Sequence, residues 1–499
     1  MKIRICVGLL PVLFLFFNFG CSKIERFNYL DPIDNSGPIG DDNYYVATWG
    51  NDENPGTFEE PFATWQKAVT ISVPGDTTYF RGGVWQPKTH IGTSAAIGIL
   101  IRPLSSTNLG VSGTKQNPIC YFAYPGETPI LDCRDVPVTT ANYNNGISLE
   151  FAEYIQFKGL TVRNVRQDNP LGYSTGFSSV GCANLIIENM TVHDVAGRGF
   201  VITSGAWNDF DGPNAPFESD ITLIINCDAF NLCDSLSSNA GNAADGFRST
   251  NYVGNYWRFE GCRAWNYSDD GFDPSGAGFM EFSSCWAMAT DKYAMYEIEA
   301  NGFKMTGLGS DWGLPAEFYD QSLTRNNHLR LIRNCIAAYC GGSAYLNNVQ
   351  AELQNNAVYY NNIAYRCGSG FFDAQSSDTL IRTGIYRNNI SIYSTSIYIA
   401  GIYRPSIYRE SHNNWDATML PFPNGWPGAV YTDTVTVTDD DFISVIPGGL
   451  IRSRHHDGSL PEINFLKLKE NSDLKGAGVN VGMSIKPDMG VDWAYVNGR

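Results

Sequence analysis

Basic residues are scarce in this sequence. Its 499 residues include 34 Lys and Arg against 51 Asp and Glu, which gives a formal net charge of -17. General nucleic-acid binding needs an excess of cationic side chains to displace the counterions of the phosphate backbone, so the deficit argues against that class of function. It leaves an anionic ligand open, because a bound metal ion reverses the sign of the charge at one site.

A hydrophobic run long enough to span a membrane is also missing. The best candidate, residues 5–17, follows a short basic head and is too short for a confident spanning helix. This pattern is typical of an export signal over residues 1–21. Gly20-Cys21 at its end is similar to a bacterial lipobox, which predicts a lipid on Cys21. We therefore expect an exported protein, either an outer-membrane or cell-surface lipoprotein or a secreted or periplasmic protein.

Short strand-like segments recur along the chain around a common position. Each combines β-branched or aromatic residues with Asn, Gly or Ser, and successive positions lie 23 to 50 residues apart. The segments align on Asn189, Asn226, Gly261, Ser284, Asn334, Asn362, Asn389 and Asn414. One such unit cannot bury its apolar face alone, whereas stacked units form a continuous core. The pattern predicts a parallel solenoid whose longer coils carry inserted loops.

The N-terminal segment favours this solenoid over an antiparallel sandwich or a propeller, which would show more even spacing and hairpin dipeptides. A predicted strand at Tyr44–Thr48 precedes an amphipathic helix. The apolar face of that helix carries Phe62, Trp65, Ala68 and Val69. A helix at this place would cover the open end of the core.

Both ends of the predicted solenoid resemble known proteins. The N-terminal segment and FLKLKENSDLKGAGVNVG (465–482) resemble the first and last segments of right-handed parallel β-helix proteins that act on polysaccharides. We therefore expect an all-β, right-handed parallel β-helix with an N-terminal capping helix. The expected boundaries are a linker over 22–42, the β-helix over 43–440 and a closing segment over 441–499.

Four of the 12 cysteines follow the common position by one residue: Cys227, Cys262, Cys285 and Cys335. Export would permit disulfides. Side chains at matching positions of stacked coils meet inside the core, however, where cysteine behaves as a small apolar residue. These four are therefore predicted to form a buried stack of free thiols.

Four aspartates occur at similar places in two successive units. They are Asp245 in NAADGF and Asp269, Asp270 and Asp273 in NYSDDGFDPSG. Coils stack about 4.8 Å apart, so these carboxylates become neighbours and repel one another unless a cation neutralises them. A hard cation with oxygen ligands, Ca²⁺ above all, is the expected partner. The alternative is that Asp-Gly marks ordinary turns, and the EF-hand spacing is absent.

Lys304 lies in NGFK, one unit further along the chain. A nearby cation favours the neutral amine and lowers the pKa of a lysine from its usual value of about 10.4, as a general base requires. Most lysines in isolation are ordinary surface residues. Its place after the two aspartate units favours a catalytic role. Arg248 and Arg263 flank the aspartates and would either bind substrate carboxylates or pair with neighbouring acids.

Together, NAADGF, GCRAWNYSDDGFD and NGFK resemble the signature of polysaccharide lyase family 9, which includes calcium-dependent pectate lyases and rhamnogalacturonan lyases. The resemblance implies that Asp245, Asp269, Asp270 and Asp273 bind Ca²⁺ and that Lys304 is the Brønsted base. It implies β-elimination on a galacturonate unit of homogalacturonan or of the rhamnogalacturonan I backbone. We expect a monomer that binds this acidic polysaccharide and no nucleic acid, and that meets a membrane only through the lipid on Cys21.

Two other functions remain open. A glycoside hydrolase of the polygalacturonase type would use Asp245, Asp269 and Asp270 as acid, base and water-positioning groups without a metal. Such enzymes have a Gly-His-Gly motif after their aspartates, and none of the six histidines here lies in that context. A non-catalytic glycan-binding β-helix would use some of its 11 Trp and 27 Tyr as stacking platforms and would tolerate the loss of Lys304.

Overall fold

The computed structural model describes most of the chain from residue 43 onward. The described ranges are 43–90, 96–101, 112–138, 143–167, 173–204, 221–251, 255–276, 278–289, 300–306, 329–348, 356–374, 383–399, 407–420, 428–433 and 435–497. They belong to a compact unit, Ile39–Arg499. The second unit, Met1–Pro38, contains none of the described residues. The predicted signal segment 1–21, with Cys21, and the predicted linker 22–42 therefore fall outside the described residues.

Three long parallel sheets form the fold, and the chain passes from sheet 1 to sheet 2 to sheet 3 and back in each full coil. Sheet 1 has twelve strands: β1 (Asn43–Val46), β2 (Thr77–Phe80), β5 (Ile119–Ala123), β8 (Ile155–Lys158), β11 (Ile186–Glu188), β14 (Ile221–Ile225), β17 (Tyr256–Glu260), β20 (Phe279–Ser283), β23 (Leu329–Arg333), β26 (Asn356–Tyr360), β29 (Thr383–Arg387) and β32 (Ile407–Ser411).

The other two sheets have ten strands each. Sheet 2 consists of β3 (Gly83–Trp85), β6 (Pro129–Asp132), β9 (Thr161–Arg163), β12 (Thr191–Val195), β15 (Asp228–Leu232), β18 (Arg263–Tyr267), β21 (Trp286–Met288), β24 (Ile336–Ala338), β27 (Ile363–Tyr365) and β30 (Ile390–Ile392). Sheet 3 consists of β4 (Ala96–Ile101), β7 (Tyr143–Glu150), β10 (Tyr173–Val180), β13 (Gly197–Thr203), β16 (Phe247–Asn251), β19 (Phe272–Gly276), β22 (Phe303–Thr306), β25 (Ser343–Asn348), β28 (Ser369–Ala374) and β31 (Ser396–Ile399). An antiparallel hairpin, β33 (Trp415–Leu420) and β34 (Gly428–Asp433), follows the last coil.

The turn between sheet 1 and sheet 2 contains the position on which the sequence repeat was aligned. One residue there has a positive φ in each of these coils: Asn189, Asn226, Gly261, Ser284, Asn334, Asn361, Asn388 and His412. Asn and Gly suit this left-handed conformation. The alignment was therefore right for the first five coils and wrong for Asn362, Asn389 and Asn414.

Neighbouring asparagines explain this error. In the last coils the residue after the left-handed turn is also Asn, and its buried amide joins the next coil. Asn362 Nδ2 donates to Asn389 Oδ1 at 3.0 Å, and Asn389 Nδ2 donates to Asn413 Oδ1 at 3.0 Å. Two adjacent asparagines thus have different structural tasks, and the sequence pattern alone does not separate them.

In the preceding coils the same ladder position holds cysteine. Cys227, Cys262, Cys285 and Cys335 are buried, and all the cysteines of the described residues are free thiols. The prediction of a buried thiol stack is confirmed.

The N-terminal helix α1 spans Trp65–Ile71 and is capped by the Thr64 side chain, which accepts from the backbone N–H of Lys67. Trp65, Ala68 and Val69 are buried against the first coils, as predicted. Phe62 is buried as well, but it lies before the helix in a bridge to Val46.

The predicted closing segment runs back along the side of the coils. It contains short 3₁₀ turns at Asp439–Asp441 and Pro447–Gly449 and the helix α2, Trp493–Asn497. Asn189 donates to the carbonyl of Asp457 near one limit of this path, and Asn388 donates to the carbonyl of Val479 near the other. The segment buries the outer apolar side chains of sheet 2. Within the described part of the chain, no helix has the length and hydropathy needed to cross a membrane.

Candidate active site and metal centre

A repeated Gly-aromatic pair at sheet 3 fixes the backbone of the candidate site. The aromatic rings stack coil on coil, with ring centroids 4.7–5.9 Å apart: Phe177, Phe200, Phe247, Phe272, Phe303, Tyr345 and Phe371. Glycine precedes each of these rings except Tyr345, which follows Ala344. The glycine before Phe247 leaves no room for a Cβ, which would lie 2.6 Å from the carbonyl oxygen of Gly271 on the next coil. Successive coils are therefore held close and in register.

Two columns of side chains flank this Gly-aromatic frame outside the core. The column two residues before the aromatic ring contains Arg198, Asp245, Asp270, Asn301 and Ser343. The column after the aromatic ring contains Val201, Arg248, Asp273, Lys304 and Leu346. The polar groups of the two columns meet in the coils that carry Asp245, Asp270 and Lys304.

Three of the four predicted aspartates form one cluster. Asp245, Asp270 and Asp273 are buried, and each offers a carboxylate oxygen within 4.8 Å of the others. Asp269 is also buried and lies beside Asp270 in the chain, but among the described residues it is outside this group of three.

Asp270 is held by two donors from the next coil. Lys304 Nζ donates to Asp270 Oδ2 at 2.8 Å, and Asn301 Nδ2 donates to Asp270 Oδ1 at 2.9 Å. Asn301 is itself fixed, because its Oδ1 accepts the backbone N–H of Ser343 at 2.7 Å. The predicted base and the acidic cluster are therefore in direct contact.

Two arginines reach the remaining aspartates. Arg248 Nη1 donates to Asp273 Oδ2 at 2.6 Å and lies 3.5 Å from Asp245 Oδ2. Arg198 Nε lies 3.5 Å from the same Asp245 oxygen. Sequence reasoning missed Arg198, although its place before Gly199-Phe200 matches the place of Asp245 before Gly246-Phe247.

The chain matches the family model described as "Pel9A-like, right handed beta helix region" over residues 44–389. It belongs to this Pel9A-like family. The match confirms the prediction of an all-β, right-handed parallel β-helix and the resemblance to polysaccharide lyase family 9.

Known proteins are similar to this chain along most of their length. Pectate lyase L of Dickeya chrysanthemi is 26% identical over 462 residues, which cover 90% of this chain and 89% of that protein. The crystal structure of pectate lyase Pel9A superposes with a TM-score of 0.64 at 22% identity, covering 91% of this chain and 97% of that one. A rhamnogalacturonan lyase superposes with a TM-score of 0.62 at 22% identity, covering 86% and 97%.

Burial and mutual repulsion dominate the electrostatics of the aspartates in this Pel9A-like site. Burial raises the pKa of Asp270, and the carboxylates of Asp273 and Asp245 raise it further against the opposing effect of Lys304. The pKa of Asp269 is raised in the same way, by burial and then by Asp270 and Asp245. Carboxylates that are buried close to one another are stabilised by a bound proton or cation.

The pKa of Lys304 differs from the sequence expectation. Burial favours its neutral form, but the carboxylates of Asp270 and Asp273 outweigh that effect and raise the pKa above its usual range. A nearby cation alone would lower the pKa of the lysine. The carboxylates alone hold the proton on the amine, so the two influences on Lys304 have opposite signs.

The carboxylate oxygens of the candidate site are suitable ligands for a metal ion. Asp245 Oδ1 is buried and has no hydrogen-bond donor among the residues that the structure describes. A buried carboxylate oxygen without a donor is uncommon and calls for a ligand or an ion. Converging carboxylate oxygens are ligands that hard divalent cations prefer. The cluster of Asp245, Asp270 and Asp273 can therefore hold such a metal.

Arg263 lies elsewhere. It pairs with Asp228 on sheet 2 at 2.6 Å and is covered by the C-terminal segment, where it donates to the carbonyl oxygens of Leu450 and Arg452. Of the two arginines that flank the aspartates in the sequence, only Arg248 reaches the candidate site.

Proposed function

We propose that this Pel9A-like protein is an enzyme, a polysaccharide lyase that cleaves a galacturonate-containing pectic polysaccharide by β-elimination. Its substrate is homogalacturonan (pectate) or the backbone of rhamnogalacturonan I. The contact between Lys304 Nζ and Asp270 Oδ2 at 2.8 Å carries the proposal, because it joins the proposed base to a carboxylate cluster that fits a cation. The pectate lyases and the rhamnogalacturonan lyase that resemble this chain support the substrate class.

Ca²⁺ is the proposed cofactor, held by Asp245, Asp269, Asp270 and Asp273. When bound, it supplies positive charge that offsets the uronate carboxylate and the negative charge that develops as the proton leaves C5. The positive charge of the metal also offsets the repulsion between an acidic polymer and a protein with a net charge of -17.

Lys304 is the proposed Brønsted base. Its neutral amine removes the proton from C5 of the galacturonate, the electron pair forms the C4–C5 double bond, and the glycosidic oxygen on C4 departs. The amine must first lose the proton that Asp270 and Asp273 help it to retain. Asp270 also keeps the side chain aimed at the cluster, since the lysine is partly exposed and would otherwise be free to turn into solvent.

Two alternatives predict different products. A polygalacturonase-type hydrolase would release reducing ends without unsaturation and would not need a metal. A glycan-binding β-helix would retain the polymer without cleaving it. The direct Lys304–Asp270 contact favours the lyase, because neither alternative assigns a task to that lysine.

The decisive experiment follows the ultraviolet absorbance of unsaturated uronate products. Purified protein is incubated with homogalacturonan and, separately, with rhamnogalacturonan I, each with Ca²⁺ or with a chelator. We expect absorbance to rise with at least one polymer when Ca²⁺ is present and to stop when it is chelated. Reducing ends that form without absorbance and resist chelation would indicate the hydrolase. Retention of polymer without any product would indicate the binding protein.

We also infer that residues 1–21 direct export, that Cys21 carries a lipid, and that a linker over 22–42 precedes the β-helix and its C-terminal segment. The basic head, apolar run and Gly20-Cys21 pair support this. The protein would then act as a monomer outside the cytoplasm. Fractionation of cells that express Cys21→Ala tests the anchor, because this variant is expected to move from the membrane fraction to the soluble fraction.

A further inference from the structure

Arg248 is placed between the proposed metal ligands and the outside. It follows the aromatic ring of its coil, and on the two next coils the same column holds Asp273 and Lys304. Its guanidinium contacts two proposed ligands at once, at 2.6 Å from Asp273 Oδ2 and 3.5 Å from Asp245 Oδ2. The side chain keeps 20% of its surface exposed, so a ligand in solution can contact it.

A divalent cation and the guanidinium of Arg248 compete for the same carboxylates. Positive charges that share ligands a few ångströms apart repel each other, and this weakens the contacts of both. A lysine could lower this repulsion by losing its proton, whereas an arginine stays charged at any pH that the protein survives. When the cation takes Asp245 and Asp273, the contacts of Arg248 with these two carboxylates weaken, and a further anion can offset that loss.

The carboxylate of a uronate is such an anion. The planar fork of a guanidinium binds a carboxylate with two parallel hydrogen bonds, which gives geometric selectivity as well as attraction. Coils are separated by about 4.8 Å, so Arg248 lies roughly two coil steps from Lys304 along the same face. A polymer bound over Lys304 and running along sheet 3 therefore passes Arg248.

We propose that Arg248 is a specificity-determining residue that binds a substrate carboxylate, and that cation binding at Asp245 and Asp273 releases it for that task. The identity of the polymer rests on the proposed function. Cation occupancy and polymer recognition are then coupled, because the same carboxylates that hold Arg248 away from the substrate become ligands of the metal.

Arg263 offers the contrast within the same coils. Its side chain is only 3% exposed, and its Nη1 donates to two backbone carbonyls of the C-terminal segment. No polymer can reach it without displacing that segment. Two arginines with the same ion-pair distance of 2.6 Å thus differ in their access to a ligand.

The test uses Arg248→Gln in the full-length protein and measures binding, so product formation plays no part. Calorimetric titration with Ca²⁺ alone is expected to show affinity on the order of tenfold tighter than in the wild type, because a competing charge is gone. In a Lys304→Ala background, which keeps the polymer intact, affinity electrophoresis with homogalacturonan and rhamnogalacturonan I at saturating Ca²⁺ is expected to show roughly tenfold weaker retention. Arg258→Gln is the matched control, an arginine paired with Glu260 on sheet 1, away from the site.

Opposite changes in the two affinities would support the proposal. Weaker Ca²⁺ binding by Arg248→Gln would overturn it, since the residue would then help to build the metal site. Unchanged polymer retention would overturn it as well. If the Lys304→Ala protein binds neither polymer, both the proposed function and this inference are wrong. If it binds a polymer and the added Arg248→Gln change leaves that binding unaltered, only this inference is wrong.

Discussion

Asp228–Arg263 on sheet 2 and Asp273–Arg248 on sheet 3 are the same kind of contact in different surroundings. Each pair joins directly opposed residues of neighbouring parallel strands, β15 and β18 in one case and β16 and β19 in the other. Each has an N–O distance of 2.6 Å. The neighbours of each pair decide what it does.

On sheet 2 positive charge is in excess, and both oxygens of Asp228 accept hydrogen bonds from arginines. Arg454 adds a second guanidinium to Asp228 at 2.6 Å, and the C-terminal segment covers the pair. On sheet 3 carboxylates are in excess: Asp245, Asp269 and Asp270 crowd around the pair, and Asp245 Oδ1 has no donor among the described residues. The Asp228–Arg263 pair therefore stabilises the fold, whereas the carboxylates around the Asp273–Arg248 pair can still bind a cation.

The largest expected effect concerns catalysis at the candidate site on sheet 3. Lys304→Ala is expected to lower the rate of unsaturated product formation by roughly three orders of magnitude, because general-base catalysis is lost. Calcium binding should persist, since the four aspartates remain. Steady-state absorbance measures the first quantity and calorimetry the second. Lys158→Ala is the matched control, as Lys158 also pairs with a carboxylate, at 3.2 Å on sheet 1. Turnover that survives in Lys304→Ala would remove the lysine from the mechanism.

The next effect concerns the free energy of unfolding and compares Asp228 of sheet 2 with Asp269 of the candidate site. Asp228→Asn is expected to lower the free energy of unfolding by about 3–5 kcal/mol, because the buried guanidinium of Arg263 loses its carboxylate. Turnover per folded molecule should not change. Asp269→Asn, in the bend before sheet 3, should have the reverse profile. Without Ca²⁺ its unfolding free energy should be unchanged or up to about 1 kcal/mol higher, since repulsion is relieved, and its Ca²⁺ binding should be weaker. Denaturant titration and calorimetry on both variants measure this contrast, and equal loss of stability in both would contradict it.

Much of this comparison could be foreseen from the sequence. Asp245, Asp270 and Lys304 were predicted to meet because they follow the common position in three successive units, and the Phe residues beside them do stack. Because the units repeat, the three stretches that contain these residues could be assigned to equivalent positions of successive coils. The parallel β-helix and the N-terminal helix were predicted on the same grounds, from repeated strands and a helical apolar face.

The rest depended on contacts that leave no local pattern. The doublet Asn361-Asn362 did not reveal which asparagine turns the chain, because both positions accept that residue for different reasons. The pairing of Arg263 with Asp228 required knowing that the C-terminal segment returns along sheet 2. Arg198 precedes Gly199-Phe200 as Asp245 precedes Gly246-Phe247, but the contact itself, at 3.5 Å from Asp245, arises only when the coils stack.

A smaller effect concerns the placement of Asp270. Asn301→Ala removes the amide that donates to Asp270 Oδ1 at 2.9 Å and the acceptor for the Ser343 N–H. Loss of such a supporting contact is expected to weaken Ca²⁺ affinity by roughly tenfold. Calorimetry measures the affinity, and the thermal midpoint serves as the control for folding. Asn301→Asp should be worse than Asn301→Ala, because it adds a further charge to the cluster, and the opposite order would contradict the assigned role.

The smallest effect is a difference in pH dependence. Carboxyl groups of the unfolded chain titrate near pH 4, and the folded pKa values of Asp269 and Asp270 lie above that. Between these values the folded protein binds more protons, so without Ca²⁺ its unfolding free energy should rise by about 1–2 kcal/mol as pH falls from 7 to 5. Asp132 has the opposite sign: its pKa is lowered, so its contribution is lost only as pH falls below about 4. Denaturant titrations at pH 7 and pH 5 test this, and saturating Ca²⁺ or Asp269→Asn should flatten the rise.

The return path of the C-terminal segment has a mechanical consequence. A stack of coils in which each touches only its neighbours can fray from either end, one coil at a time. Here a single stretch of chain is bonded to turns as far apart as Asn189 and Asn388. A coil in between cannot detach without also stripping this external splint, so local opening is converted into a cooperative event that protects the middle coils, where the aspartates and Lys304 lie.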